Sequence, residues 1–164
     1  YLQQNNKINL DYNTWDLNDE NIDSKKFDVI FCYGTLYHLH RPDFAIKNLA
    51  KMCNDYLIMS TCTNGIPGIN INLVIENSNK IGKPQSFTTD FGSRPSREWV
   101  VDELKKYFKF VYISIKQPNH HDYTIDWRNI SNANRAIFLA TNNEDLVDKE
   151  KWTTEILMNQ EKLN

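Results

Sequence analysis

The chain has 164 residues, of which 40% are hydrophobic and 24% charged, and its formal net charge is −2. A chain of this size can bury a core without disulfides or a structural metal, and its charge argues against proteins that grip phosphate backbones. The sequence has no apolar run of membrane-spanning length, no signal-peptide pattern and no closely spaced cysteines, so we expect a cytoplasmic protein without a metal site.

Strand and helix patterns alternate along the first half. Residues 7–15 predict a first strand, residues 17–26 a polar connection, and residues 27–33 a second strand of β-branched and aromatic residues. Pro42 is tolerated at a first helical position, and apolar side chains then recur at helical spacing, which predicts a helix to about Met52. Residues 55–61 predict a third strand.

The second half begins with an interruption. Residues 65–93 have no clear periodicity and follow a strand, which favours a lid-like insertion over a disordered segment. Ser96 then predicts a helix cap, with apolar residues at helical spacing behind it. Strands are predicted at 110–116 and 135–141, and the polar extension 143–164 is expected to contain a loosely docked helix around Trp152.

This alternation predicts an α/β fold with a doubly wound, mostly parallel sheet, because parallel neighbours need crossover helices. Residues 1–142 are expected to form the domain. In such sheets, ligands bind beyond the carboxyl ends of the strands. The run FDVIFCYGTLYHL from Phe27 ends its apolar part at Gly34 and continues to Tyr37 and His38, so it predicts a binding site there.

Several motifs resemble those of class I S-adenosylmethionine-dependent methyltransferases. The run from Phe27 is similar to the family's fourth strand and following loop, and Asp16 lies twelve residues before Asp28, where the family has an acidic or polar residue. The segments FGSRPSREW from Phe91 and QPNH from Gln117 resemble motifs of a subgroup that acts on small molecules, sugars or tRNA wobble bases.

The resemblance implies an incomplete Rossmann-like methyltransferase fold with an antiparallel final strand and S-adenosylmethionine as cofactor. The implied cofactor-binding residues are Trp15, Asp16, Leu17, Cys32, Tyr33 and Gly34, with backbone carbonyls near Gly34 holding the cofactor's ammonium group. The implied substrate-binding residues are Arg94, Arg97, Gln117 and His120. The alternatives are that Asp16 caps a turn, that Gly34 merely ends a strand and that Arg97 is solvated on its helix.

One departure from the family is the absence of its glycine-rich GxGxG loop. Glycine occurs only at positions 34, 65, 68, 82 and 92, and the acidic residue that holds the cofactor ribose is also missing. We therefore expect this chain to be the carboxyl-terminal half to two-thirds of a domain, to bind cofactor weakly, and to self-associate through an exposed sheet edge.

The catalytic prediction rests on His38, with Tyr37 as its neighbour. His38 lies just before a predicted helix amino terminus, whose partial positive charge favours a neutral, proton-accepting ring. Tyr33 or Tyr37 could also shelter a sulfonium by cation–π attraction. The alternatives are a structural histidine, packing for Tyr37, and a base among His120, His121 and Asp122.

Two functions remain open at this point. The first is methyl transfer to an oxygen or nitrogen of a small molecule, sugar or modified nucleoside. The second is a methyltransferase-like pseudoenzyme or binding module without catalysis. A glycine-rich strand, loop and helix in the same polypeptide would favour the first.

Overall fold

The computed structural model describes residues 11–22, 25–76, 90–126, 134–145, 147–157 and 159–163. The strands in these ranges are β1 (Phe27–Tyr33), β2 (Cys53–Thr63), β3 (Ile71–Ile75), β4 (Phe91–Pro95), β5 (Phe110–Ser114), β6 (Asn134–Thr141) and β7 (Trp152–Thr153). The helices are α1 (Pro42–Met52) and α2 (Arg97–Lys105), and a short 3₁₀ turn spans Leu36–His38. The described helices include none that is long and apolar enough to cross a membrane.

Five strands form one sheet in the order β1, β2, β6, β5, β7. Strands β1 and β2 are parallel, whereas β6 runs antiparallel to both β2 and β5. Strands β1, β2 and β5 therefore point in one direction, and β6 is inserted between β2 and β5 in the opposite direction. The α/β fold with an antiparallel final long strand is confirmed.

The main core lies between this sheet and the two helices. Ala45, Ile46 and Leu49 of α1 share one buried cluster with Val100 and Leu104 of α2. Alternate residues of the strands complete that cluster, since successive side chains of a strand point to opposite faces; they include Cys32, Leu57, Met59, Val111, Ile113 and Phe138. Both helices thus cover the same face of the sheet.

The opposite face is covered less completely. Val29, Phe31 and Tyr33 of β1 are each more than half exposed, Phe31 by 67%. Farther along the sheet, Tyr112 and Leu139 are buried beneath the segment that carries Val147 and Trp152. The apolar surface on β1 is therefore confined to the edge of the sheet.

The elements predicted from periodicity occur close to their expected positions. Strands β1 and β2, helix α1 and the helix capped by Ser96 are all present, and the Ser96 side chain accepts a hydrogen bond from the Trp99 backbone. Strands β5 and β6 match the two predicted late strands.

Three predicted segments differ from the structure. Residues 11–15 of the predicted first strand are irregular and exposed, because no strand of the described sheet pairs with them, while residues 7–10 lie outside the described ranges. The predicted helix around Trp152 is wrong: Trp152 and Thr153 add to the free edge of β5 as β7. The insertion contains a β3–β4 hairpin, and residues 77–89 lie outside the described ranges.

Candidate functional site

The candidate site lies beyond the carboxyl ends of β1 and β2. Gly34 ends β1 with a positive φ of 71°, a conformation that glycine adopts without strain, and its backbone N–H donates to Ser60 of β2. The chain then turns directly into the 3₁₀ segment Leu36–His38. The glycine turn therefore delivers Tyr37 and His38 to this edge of the sheet.

His38 forms a close pair with Glu76. The His38 Nδ1 atom lies 2.7 Å from Glu76 Oε2, and the carboxylate side chain is only 4% exposed. An ionised carboxylate only accepts hydrogen bonds, so a neutral His38 ring beside it carries its proton on Nδ1 and its lone pair on Nε2. Glu76 thereby selects the tautomer in which the outer ring nitrogen accepts a proton.

Arg94 of β4 holds the other side of Glu76. Its Nη2 lies 3.3 Å from Glu76 Oε1, and its Nη1 donates to the Tyr37 carbonyl at 2.9 Å. One guanidinium therefore connects the carboxylate to the backbone of the segment that carries His38. The side chain that was predicted to bind substrate is engaged in ordering the His38–Glu76 pair.

Gly92 of β4 permits this close approach. A Cβ atom at Gly92 would lie 2.5 Å from the Tyr37 carbonyl oxygen and 2.7 Å from the Glu76 carboxyl carbon. Real Cβ atoms essentially never come this close to a neighbour. The absence of a side chain at this position is therefore what allows the hairpin to pack against the His38 turn.

Arg135 forms a second polar group beside Tyr37. Its Nη2 donates to the Tyr37 hydroxyl at 2.9 Å, and its Nε lies 3.2 Å from Asp122 Oδ2. The guanidinium carbon is 5.0 Å from the centre of the Tyr37 ring and 5.5 Å from that of Tyr33. Both tyrosine rings thus already face a cation of the protein itself.

The loop after β5 brings four polar residues to the site. Its Tyr123 hydroxyl lies 2.8 Å from the Ser60 hydroxyl at the end of β2, and burial raises the pKa of this tyrosine. Ligand atoms of His120, His121 and Asp122 lie within 4.8 Å of one another, a spacing compatible with a metal ion. Since Arg135 already pairs with Asp122 and would repel a cation, the expectation of no metal stays a prediction.

The predicted cofactor residues near the start of the chain lie at the edge of β1. Asp16 Oδ1 accepts hydrogen bonds from the Asn18 backbone and side chain, each at 2.9 Å, and Asn18 in turn caps the segment before α1. A depression of about 370 Å³ lies beside them. It is lined mainly by apolar residues that include Trp15, Leu17, Val29, Phe31 and Leu49.

Cys32 contributes to this region through its backbone only. Its side chain is buried in the main core, and burial raises the pKa of the thiol to about 11. The thiol is therefore neutral at physiological pH and unsuited to nucleophilic chemistry.

Two residues that were expected to bind substrate, Arg97 and Gln117, are buried, and Arg97 also donates to the Arg135 carbonyl at 3.3 Å. Arg97 is fully buried and donates to Gln160 and, at 3.1 Å, to Asn134. Gln117 is also buried and donates to the same Gln160 side chain. Both side chains therefore tie the carboxyl-terminal segment to the domain, and we assign them a structural role. The solvated alternative considered for Arg97 is wrong for the same reason.

His120 occupies a different environment, with half of its side chain exposed. Its Nδ1 accepts a hydrogen bond from the Asp122 backbone N–H at 3.2 Å. The other ring nitrogen, Nε2, takes no part in that hydrogen bond. It is open to contact with a ligand.

Two central residues, Glu76 and Arg135, were not predicted as site residues. Glu76 lies within the insertion that showed no motif, and Arg135 was assigned only as the beginning of a strand. A charged residue at the first position of an otherwise apolar strand was the signal that could have drawn attention to Arg135.

No protein-family model matches the sequence, and no curated protein matches it. Among solved structures, the N-terminal domain of EvdMO1 with SAH bound aligns at a TM-score of 0.52 and 18% identity, over 73% of this chain and 48% of that one. The same domain in the presence of SAH and D-fucose gives the same values. This chain therefore spans about half the length of the EvdMO1 structure.

A further match is the glycopeptide N-methyltransferase MtfA complexed with SAH. It aligns at a TM-score of 0.42 and 12% identity, over 79% of this chain and 59% of that one, too weakly to carry an argument. The EvdMO1 alignment shows that this chain shares the fold of that SAH-bound domain, and the predicted Rossmann-like α/β fold is confirmed.

Proposed function

We propose that the protein binds S-adenosylmethionine and takes part in methyl transfer to an oxygen or nitrogen of a small molecule, a sugar or a modified nucleoside. The observation that carries the proposal is the His38–Glu76 pair at the carboxyl end of β1, in a fold shared with a domain crystallised with SAH. A proton-accepting imidazole at this position is suited to activate a hydroxyl or amine nucleophile.

The end of β1 fits the amino-acid end of the cofactor. Gly34 has no side chain and a left-handed backbone, so a ligand can approach the main chain of residues 32–34 closely. We assign the cofactor's ammonium group to backbone carbonyls here. Asp16, Trp15 and Leu17 are proposed to contact its adenine end at the edge of β1.

The proposed chemistry assigns one task to each side chain. The bound sulfonium supplies an activated methyl group. His38 Nε2 removes the proton from the nucleophile, while Glu76 holds the imidazole ring and stabilises its positive charge once protonated. Arg94 fixes the orientation of Glu76.

Tyr33 and Tyr37 are not proposed to shelter the sulfonium of the cofactor. Arg135 already faces both the Tyr33 and Tyr37 rings, and Arg94 lies 5.1 Å from the centre of the Tyr37 ring. A second cation at the same rings would be repelled. Tyr37 is instead proposed to contact the acceptor beside His38, and His120 to contact it from the loop after β5.

The second candidate is a methyltransferase-like binding module without catalysis. Calorimetric titration with SAH and with S-adenosylmethionine measures whether the protein binds the cofactor. Incorporation of labelled methyl from S-adenosylmethionine into a panel of hydroxyl and amine acceptors measures whether it catalyses methyl transfer. Binding without transfer to any acceptor would favour the second candidate.

The test of the proposed base compares His38→Ala with His38→Asn in the full-length protein. Loss of a general base lowers turnover by about 10²–10⁴. We expect both variants to show this loss with SAH affinity nearly unchanged, because asparagine can donate to Glu76 but cannot take up the proton. Near-normal turnover of His38→Asn would show that the histidine is structural.

A further inference from the structure

We propose that Arg135 is the centre of a binding site for an oxyanion, a carboxylate or a phosphate, carried by the acceptor substrate. This inference rests on the proposed methyl transfer and extends it by naming the chemical class of the acceptor. Its basis is a guanidinium that contacts Tyr37, the neighbour of the proposed base, and that has two donor atoms without a hydrogen-bond partner among the described residues.

The Arg135 guanidinium has more donors than acceptors around it. Its Nη2 donates to the Tyr37 hydroxyl. In the described part of the chain, neither Nε nor Nη1 has an aligned acceptor, although both atoms are buried. Asp122 Oδ2 lies 3.2 Å from Nε, close enough for an ion pair but away from the line of the N–H bond. Because buried guanidinium donors are normally hydrogen-bonded, Nη1 lacks an expected partner.

The free Nη1 faces the end of β1. It lies 3.8 Å from the position that a Cβ atom of Gly34 would occupy, so the main chain alone forms this wall of the site. Tyr33 forms another wall, and its side chain is more than half exposed. Rotation of the Tyr33 ring toward solvent would therefore open the guanidinium to an oxygen of a ligand.

The geometry favours an anion over a neutral oxygen. The side chain is only 12% exposed, and its planar group rests against the Tyr37 ring, so the fork formed by Nη1 and Nη2 is held in place. Such a fork matches the two oxygens of a carboxylate or phosphate, and the guanidinium is charged at every physiological pH. Asp122 partly neutralises the guanidinium charge, and it does so from the side of Nε, not from the side of the Nη1 and Nη2 fork.

The link through Tyr37 to His38 favours the acceptor as the molecule that carries the anion. The Tyr37 ring, which Arg135 contacts through the hydroxyl, lies 4.0 Å from the His38 ring between centres. A base must reach the nucleophilic atom of the acceptor, so an acceptor placed at His38 can extend an oxyanion past Tyr37 to Arg135. The carboxylate of the cofactor, whose ammonium group is assigned to residues 32–34, is the other source, and the experiment below distinguishes the two.

The binding test uses acetate and inorganic phosphate as probes. Each is titrated into the protein at constant ionic strength while the guanidinium resonances are followed by ¹H–¹⁵N NMR. We expect a saturable shift of the Arg135 resonance with either probe. Arg41, an exposed arginine paired with Asp43, is the matched control and should show only a weak linear drift. Equal behaviour of the two arginines would overturn the inference.

A lysine variant separates the contribution of the planar pair of donors on Arg135 from that of its positive charge. Arg135→Lys keeps the positive charge but loses the planar pair of donors, so we expect at least about tenfold weaker acetate binding, whereas Arg41→Lys should leave it unchanged. Unchanged acetate affinity in Arg135→Lys would count against the site. If this variant does not fold, the resonance titration of the unmodified protein decides alone.

The source of the anion is tested with SAH and with paired acceptors. We expect Arg135→Lys to bind SAH normally but to lose its preference for a carboxylate acceptor over the matching carboxamide. A parallel loss of SAH affinity would assign the site to the cofactor's carboxylate and overturn the inference. The NMR titration needs no methyl transfer, so a saturable shift together with a full-length protein that transfers no methyl group would refute the proposed function and leave the anion site standing.

Discussion

The His38 Nδ1 atom lies 2.7 Å from the Glu76 Oε2 atom, although 38 positions separate the two residues in the chain. His38 follows β1 of the main sheet, and Glu76 follows β3 of the hairpin. The pair therefore exists only when the hairpin is docked on the turn that follows β1. This dependence links the geometry of the insertion directly to the proposed base.

Glu76→Gln should lower turnover while leaving cofactor affinity unchanged. The amide retains the size of the side chain but loses the charge that orients and stabilises His38, and comparable carboxylate-to-amide changes cost up to about 10⁴ in rate. The measurement is single-turnover methyl transfer together with SAH titration. A merely structural role for Glu76 would leave the pH dependence of turnover unchanged, whereas we expect it to shift.

Gly92→Ala should disrupt the His38 turn. The added Cβ would meet the Tyr37 carbonyl and the Glu76 carboxyl group, so overpacking should lower the free energy of unfolding by about 1–3 kcal/mol. Turnover per folded molecule should fall as well. Gly68→Ala is the control, because its Cβ meets no atom within 4 Å and only the positive φ of 87° is strained. Equal turnover in both variants would contradict the role of Gly92.

Arg97→Ala should destabilise the fold without a specific effect on catalysis. Removing the guanidinium leaves the buried oxygens of Gln160 and Asn134 without this donor, which we expect to cost about 2–5 kcal/mol in chemical denaturation. Arg41→Ala, at an exposed position, should change stability far less. A stable Arg97→Ala variant with a raised KM for the acceptor would instead support the prediction that Arg97 contacts the substrate.

Stability should decrease at alkaline pH through Cys32. Burial raises the pKa of this thiol to about 11 in the folded state, so between about pH 9 and 11 the unfolded chain has lost a proton that the folded chain retains. The free energy of unfolding therefore falls as pH rises through this range, by about 2–3 kcal/mol from this group. Urea denaturation of Cys32→Ala should show a smaller fall, and an equal slope in both proteins would contradict the assignment.

Self-association should occur through β1. In the described sheet β1 is an edge strand, and its outer face exposes Val29, Phe31 and Tyr33. We expect sedimentation velocity to detect association at high protein concentration and Phe31→Lys to weaken it. A strictly monomeric protein over the whole concentration range would refute this prediction.

Local pattern was sufficient for the regular elements of this protein. The apolar run of β1, the proline start and apolar face of α1, and the cap at Ser96 are encoded within a few residues, so periodicity and capping chemistry predict them. The glycine at the end of β1 also indicated the location of the site, because strand ends are where open sheets bind ligands.

Only the tertiary structure decided which side chains meet. Glu76 reaches His38 across an insertion without periodicity, Arg135 reaches Tyr37 across 98 positions, and Arg97 is buried although arginine usually lies at the surface. The segment at Trp152 became a strand because β5 offered a free edge, which overrode its local pattern. These contacts depend on how distant elements pack, and neither propensity nor spacing contains that information.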